Sequence, residues 1–149
     1  MSIKHPAVAG LLAGAALILT ACGTATTAGA PPAAIIPVAG SHIPRLELTS
    51  GAIQRLGIAT QPVRPAPASP AGTGAREVIP YSAVVYDTDG STWTFVNTVA
   101  RTYLRQPITI AAISGNLALL SKGPPVGARV VTVGSAELLG TEYNISGEE

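Results

Sequence analysis

Few side chains in this 149-residue chain can make or break bonds, and their types and spacing narrow the chemistry open to it. It has one cysteine, Cys22, and two histidines, His5 and His42. That set falls short of the paired Cys/His spacings that hold a structural zinc ion. A Ser-His-Asp arrangement would need His42 to reach a distant serine, and no G-x-S-x-G turn occurs. His42 therefore reads as a solvated loop histidine. Asp87, Asp89 and Gly90 look like the opening of a calcium loop. The twelfth position counted from Asp87 should then supply a bidentate Glu, and it is Thr98. Residues 87–90 read instead as a hairpin turn. Glu137 and Glu142 lack partners at a catalytic spacing. Arg101 and Arg105, on either side of Tyr103, read as a solvated strand face, the alternative being a small exposed basic patch. Trp93 and Phe95, at period two, read as core, the alternative being a ligand-binding surface. With no convergent acid, base or metal ligand, the expectation is a protein that is not an enzyme and needs no cofactor or metal.

The neighbours of Cys22 give it a different chemistry. It ends Leu19-Thr20-Ala21-Cys22, behind Lys4 and a nearly unbroken apolar run over residues 6–19. A basic start, a short apolar run and small residues before a cut form the layout of a cleavable secretion signal. The run is shorter than the roughly 20 apolar residues of a spanning helix. Leu-Thr-Ala-Cys resembles the bacterial lipobox, in which the thiol of the residue after the cut receives a diacylglycerol. The resemblance implies that residues 1–21 are a lipoprotein signal peptide. It also implies that Cys22 begins the mature chain, acylated (with palmitate-type chains) on sulfur and usually on its new amine. Two or more chains anchor stably, at about 0.8 kcal/mol per buried CH₂. The alternatives are an ordinary free or buried thiol and a retained membrane anchor. The expected location is extracytoplasmic, lipid-anchored to the bacterial cell membrane.

Removing residues 1–21 leaves 128 residues, enough for one domain, with eight basic and eight acidic side chains. No basic stripe is present to bind nucleic acid, and no polybasic segment beside the anchor to hold anionic lipid. An acylated Cys22 leaves no thiol for a disulfide, so a hydrophobic core must hold the fold alone.

The elements that would position any site follow from the texture of the chain. Residues 22–42 are Ala, Thr, Pro and Gly with scarcely a charge, and are expected to be a disordered tether reaching roughly 25 Å. Residues 45–48 alternate as a half-buried strand does. Thr49 or Ser50 can cap a helical turn through residues 51–56, and Gly57 sits where a helix C-cap glycine belongs. Residues 58–63 read as a strand and residues 64–75 as a Pro-rich linker. Strand patterns follow at 76–79, 82–86, 92–97, 103–105, 108–113, 116–120 and 129–133, broken at Ser114-Gly115 and over residues 123–127. Residues 135–139 suit one helical turn before Gly140, and residues 144–149 a disordered tail. The expected fold is mostly β: a small barrel or roll of short antiparallel strands over residues 43–143, with one or two short helical turns, preceded by a signal helix and the tether.

Two segments resemble the periplasmic adaptor subunits, or membrane fusion proteins, of efflux pumps. Residues 46–63, LELTSGAIQRLGIATQPV, look like the adaptor strand that a "Q-R-L-G-I" turn leads into. Within residues 79–143, Ile79-Pro80-Tyr81-Ser82-Ala83-Val84 resembles "(V/I)-P-x-S-A-V". DTDGSTWTFV at 87–96 resembles "d-G-x-x-W-V-F-V", and TYLRQPITI at 102–110 resembles "x-F-x-R-R-x-V-x-V". KGPPVGARVVTVGSAELL at 122–139 resembles "G-L-x-x-G-x-x-V-V-x-x-G-A-x-x-L". Together they cover about 80 of the 128 residues. In that family these stretches build the membrane-proximal β domain, which docks on the transporter. The family's β-barrel, lipoyl-like domain and α-helical hairpin have no counterpart between the two segments, and no heptad pattern occurs. The resemblance thus implies a reduced, lipid-anchored accessory of an efflux transporter of the resistance-nodulation-division or ABC type, acting in transmembrane transport by protein docking or by forming a homo-oligomer. The alternative is a free-standing small-molecule- or envelope-binding lipoprotein.

Overall fold

The computed structural model describes residues 31–67 and 74–143. The expected signal peptide, Cys22, the first part of the expected tether, residues 68–73 of the expected linker and the expected tail at 144–149 lie outside the described residues. Eleven strands run in chain order: β1 (Ala33–Ile36), β2 (Arg45–Leu48), β3 (Ala59–Pro62), β4 (Arg64–Pro65), β5 (Glu77–Pro80), β6 (Val85–Tyr86), β7 (Thr92–Val99), β8 (Thr102–Pro107), β9 (Thr109–Ser114), β10 (Leu117–Lys122) and β11 (Arg129–Val133). Two helices, α1 (Ser50–Leu56) and α2 (Ser135–Tyr143), and a 3₁₀ turn at Tyr81–Ala83 complete the fold. It is mostly β, with antiparallel pairing throughout, as the alternation in the sequence implies.

The strands form two sheets. The larger runs β1-β2-β8-β7-β11-β3, with β6 added alongside β7, and the smaller runs β4-β5-β10-β9. The two faces of the large sheet meet different cores. Leu46, Leu48, Phe95, Tyr103 and Val131 point with Ala52 of α1 and Leu138 of α2 into one. Val96 and Val130 point with Ile79, Ala118 and Leu120 of the small sheet into the other. Helices, large sheet and small sheet are therefore three layers. Period two explains the assignment: neighbours Phe95/Val96 and Val130/Val131 face opposite sides, and both sides are dry. Phe95 is a core residue, and Trp93 packs at the edge of the same core.

The chain changes sheets between β8 and β9. There Ile108 is buried in the second core while its N–H donates to Thr92 O at 3.0 Å and its carbonyl accepts from Thr92 Oγ1 at 2.9 Å. Thr49 caps α1 by accepting from Ala52 N, and Gly57 closes the helix in the left-handed conformation (φ 62°).

Four elements depart from the sequence expectation, one being the strand expected at 82–86, of which only Val85–Tyr86 is strand while Tyr81–Ala83 form the 3₁₀ turn. β1 lies inside the stretch expected as a tether: it pairs with β2 in the register Ala33↔Leu48 to Ile36↔Arg45, and Ala33 and Ile35 pack on the first core. The ordered unit thus begins about ten residues before residue 43. Low charge and flanking prolines hide this strand, yet two isoleucines and an alanine suffice once a sheet edge is offered to them. β4 lies inside the expected linker and pairs with β5 in the register Arg64↔Val78 and Pro65↔Glu77. Finally, α2 continues through Gly140 to Tyr143 rather than ending after one turn.

Candidate functional site

Arg105 does not lie on a solvated strand face. It sits on β8 with its side chain only 8 % exposed, gripped by two carboxylates. Nη1 donates to Asp87 Oδ2 at 2.6 Å, and Nη2 meets Glu142 Oε1 at 2.9 Å. The guanidinium carbon stands 4.6 Å from the Trp93 ring centroid and 5.6 Å from that of Tyr143, within cation–π range. The Tyr143 hydroxyl donates to Asp87 Oδ1 at 2.5 Å. One arginine thus joins the β6–β7 turn, the β7–β8 pair and the end of α2. Arg101 is elsewhere, exposed in the β7–β8 turn at φ 61°, and Tyr103 is buried, so the alternative of a shared basic patch fails as well.

The two carboxylates are shifted in opposite directions although the same guanidinium favours the charged form of both. Asp87 is held down to about 2 by the Tyr143 hydroxyl, the backbone N–H of Thr88 and Arg105. Glu142, with only 5 % of its side chain exposed, is pushed above its ordinary value by burial, which outweighs the attraction of Arg105. Its Oε2 and Arg105 Nε are buried and have no hydrogen-bond partner. Burial decides the sign for Glu142, and hydrogen bonds to the charged form decide it for Asp87.

Beside this cluster an open groove of about 400 Å³ runs between the 3₁₀ turn with β6 and the first turn of α2. Val84, Val85, Ala136 and Leu139 supply apolar wall, and Tyr86 and Glu137 stand on it. Tyr86 is 50 % exposed, and its hydroxyl lies 3.1 Å from that of Tyr81, also exposed. Asp89 is in the adjoining turn, its Oδ1 accepting from Ser91 N at 2.8 Å, which is hairpin-turn chemistry.

The remaining candidates are scattered. His42 is exposed in the bend before β2, remote in sequence from any of these groups. Among the described residues no three His, Cys, Asp or Glu side chains are placed to hold a metal. Cys22 lies outside the described residues. Sequence reasoning missed the Asp87–Arg105–Glu142 triad because its members are 18 and 37 positions apart, with no local period connecting them. The groove carries no motif either. No protein-family model, no curated protein and no solved structure matches this chain.

Proposed function

We propose that this protein is a lipid-anchored, extracytoplasmic, adaptor-like accessory of an efflux transporter, working by protein docking and without catalysis. The observation that supports the reading is how the two adaptor-like segments meet. β4 and β5 pair as neighbours, and Ala66 N donates to Arg76 O at 2.9 Å, so the excursion between them begins and ends at one place. The segment before it supplies β2 and β3, which pair with β8 and β11 of the segment after it. A β domain made from both sides of an insertion point, and closed without the insertion, is what a reduced adaptor requires.

In this reading Cys22 carries the lipid. From Cys22 to the start of β1 at Ala33 is eleven residues, so no conformation places that sheet edge more than about 40 Å from the anchoring sulfur. Cys22→Ala should release the protein from the membrane and abolish its contribution to export. Normal function of the soluble variant, or unchanged drug and metal export on deleting the gene with no transporter recovered by crosslinking, defeats the proposal. The second reading, a small-molecule-binding lipoprotein, draws on the groove, whose volume falls in the range of ligand sites. A ligand-induced rise in melting temperature is its test.

A further inference from the structure

We propose that the groove between β6 and α2 is the docking site for a basic, amphipathic segment of a partner protein. The proposal rests on the docking reading only in taking a protein as the partner, and it adds that partner's chemistry.

The groove's wall is apolar and its charge is one-signed. Val84, Val85, Ala136 and Leu139 form the wall, Glu137 is the charged residue on it, and no Lys or Arg lines it. Tyr86 leads directly into the turn carrying Asp87 and Asp89. Arg105, the cation of the neighbouring cluster, is spent: Asp87 and Glu142 both bind it. Among the described residues neither Glu137, on the groove, nor Asp89, in the turn that follows Tyr86, forms an ion pair, and both are exposed. Of the other cations among the described residues, Arg55 of α1 shares a pocket with Thr141 of α2 but forms no ion pair with Glu137, and Arg129 on β11 is bonded to Thr60.

Such a surface suits Lys or Arg side chains. Their alkyl stems can lie on Leu139 and the Tyr86 ring while the charged heads meet Glu137 and Asp89. A small organic cation fits less well, because a small-ligand site buries most of its ligand and this groove is open to solvent. A peptide laid along the groove needs no enclosure, since it gains contact by length.

The test titrates the full-length lipoprotein, in non-ionic detergent, with fluorescent decapeptides of alternating Lys–Leu and alternating Glu–Leu sequence, and separately with tetramethylammonium. The Lys–Leu peptide should bind and the Glu–Leu peptide should not, with binding weakening steeply from about 0.05 to about 0.5 M salt. Combining Asp89→Asn with Glu137→Gln should weaken the Lys–Leu peptide roughly tenfold, and Tyr86→Ala should weaken it further, with melting temperatures unchanged. Equal binding of the two peptides, no binding of either, insensitivity to the double substitution, or tetramethylammonium displacing the peptide stoichiometrically would each overturn the proposal. This titration reads the groove alone. Its failure leaves the anchored-docking reading to stand or fall by the Cys22→Ala experiment, and the reverse holds too.

Discussion

Arg105 shows how one side chain can hold three elements and at the same time set how the molecule answers acid. Removing it would leave Glu142 buried without its cation, so Arg105→Ala should lower unfolding free energy by roughly 3 kcal/mol, read by urea denaturation. The pH response has two opposed parts. Asp87 titrates in the folded state at about 2, below its ordinary 3.8, so its contribution is complete above about pH 4 and is lost as pH falls toward 2. Glu142 titrates above its ordinary 4.5, so its contribution is present below that value and is lost as pH rises through its folded pKa. Thermal melts across pH should therefore show Asp87→Asn with a flatter acid limb between about pH 4 and 2. Relative to the wild type, Glu142→Gln should gain as pH rises above about 4.5. If both variants track the wild type at constant offset, the triad does not titrate as its geometry implies. None of this was legible in the sequence. Arg105 beside Tyr103 and Gln106 reads as an outward strand residue until α2 folds over it and brings Glu142 and Tyr143 to its far side.

At the scale of elements the sequence was more legible where local chemistry decides the outcome. Thr49 and Gly57 bracket α1 because a hydroxyl must satisfy an early N–H and a left-handed residue must end the helix, and both requirements can be read along the chain. Thr49→Ala should cost about 1 kcal/mol in a denaturant titration. Thr49→Asn should recover most of it, which a role beyond capping would not predict. The junction of β11 with α2 is set differently. Gly134 has φ 88°, and a Cβ there would stand 2.1 Å from Ile58 Cδ1. Gly134→Ala must strain the backbone and move Ile58 off the first core, for about 2 kcal/mol of lost stability. Because Gly134 also lines the groove, the substitution should weaken basic-peptide binding as well. β4 and the second half of α2 escaped sequence reading for one reason: neither has a period of its own. Two residues ending in proline become a strand because β5 offers an edge, and α2 carries Gly140 because Leu138, Leu139 and Glu142 are held from outside.

For the whole molecule the decisive feature is that one sheet separates two cores, with its strands drawn from both halves of the chain. β2 lies between β1 and β8, so β1 is the large sheet's edge on that side and covers what would otherwise be an open β2. Whether residues 33–36 belong to the fold or to a tether is a question about the whole architecture, and a pair of substitutions in the intact chain answers it. Ile35 packs on the first core, whereas its neighbour Ala34 is exposed. A tether would tolerate Asp at either position. A strand would not, because period two sends adjacent side chains to opposite faces. Ile35→Asp should therefore cost about 2 kcal/mol through lost apolar burial and a carboxylate forced against the core beside its cross-strand partner Leu46, lowering the melting temperature by on the order of 10 °C. Ala34→Asp should stay within about 0.5 kcal/mol of the wild type. Equal melting of the two variants would return these residues to the tether and lengthen the reach from Cys22 accordingly. A selective loss at Ile35 would fix the sheet edge within eleven residues of Cys22, and with it, under the proposed lipidation of that cysteine, the height above a membrane at which a partner would be met.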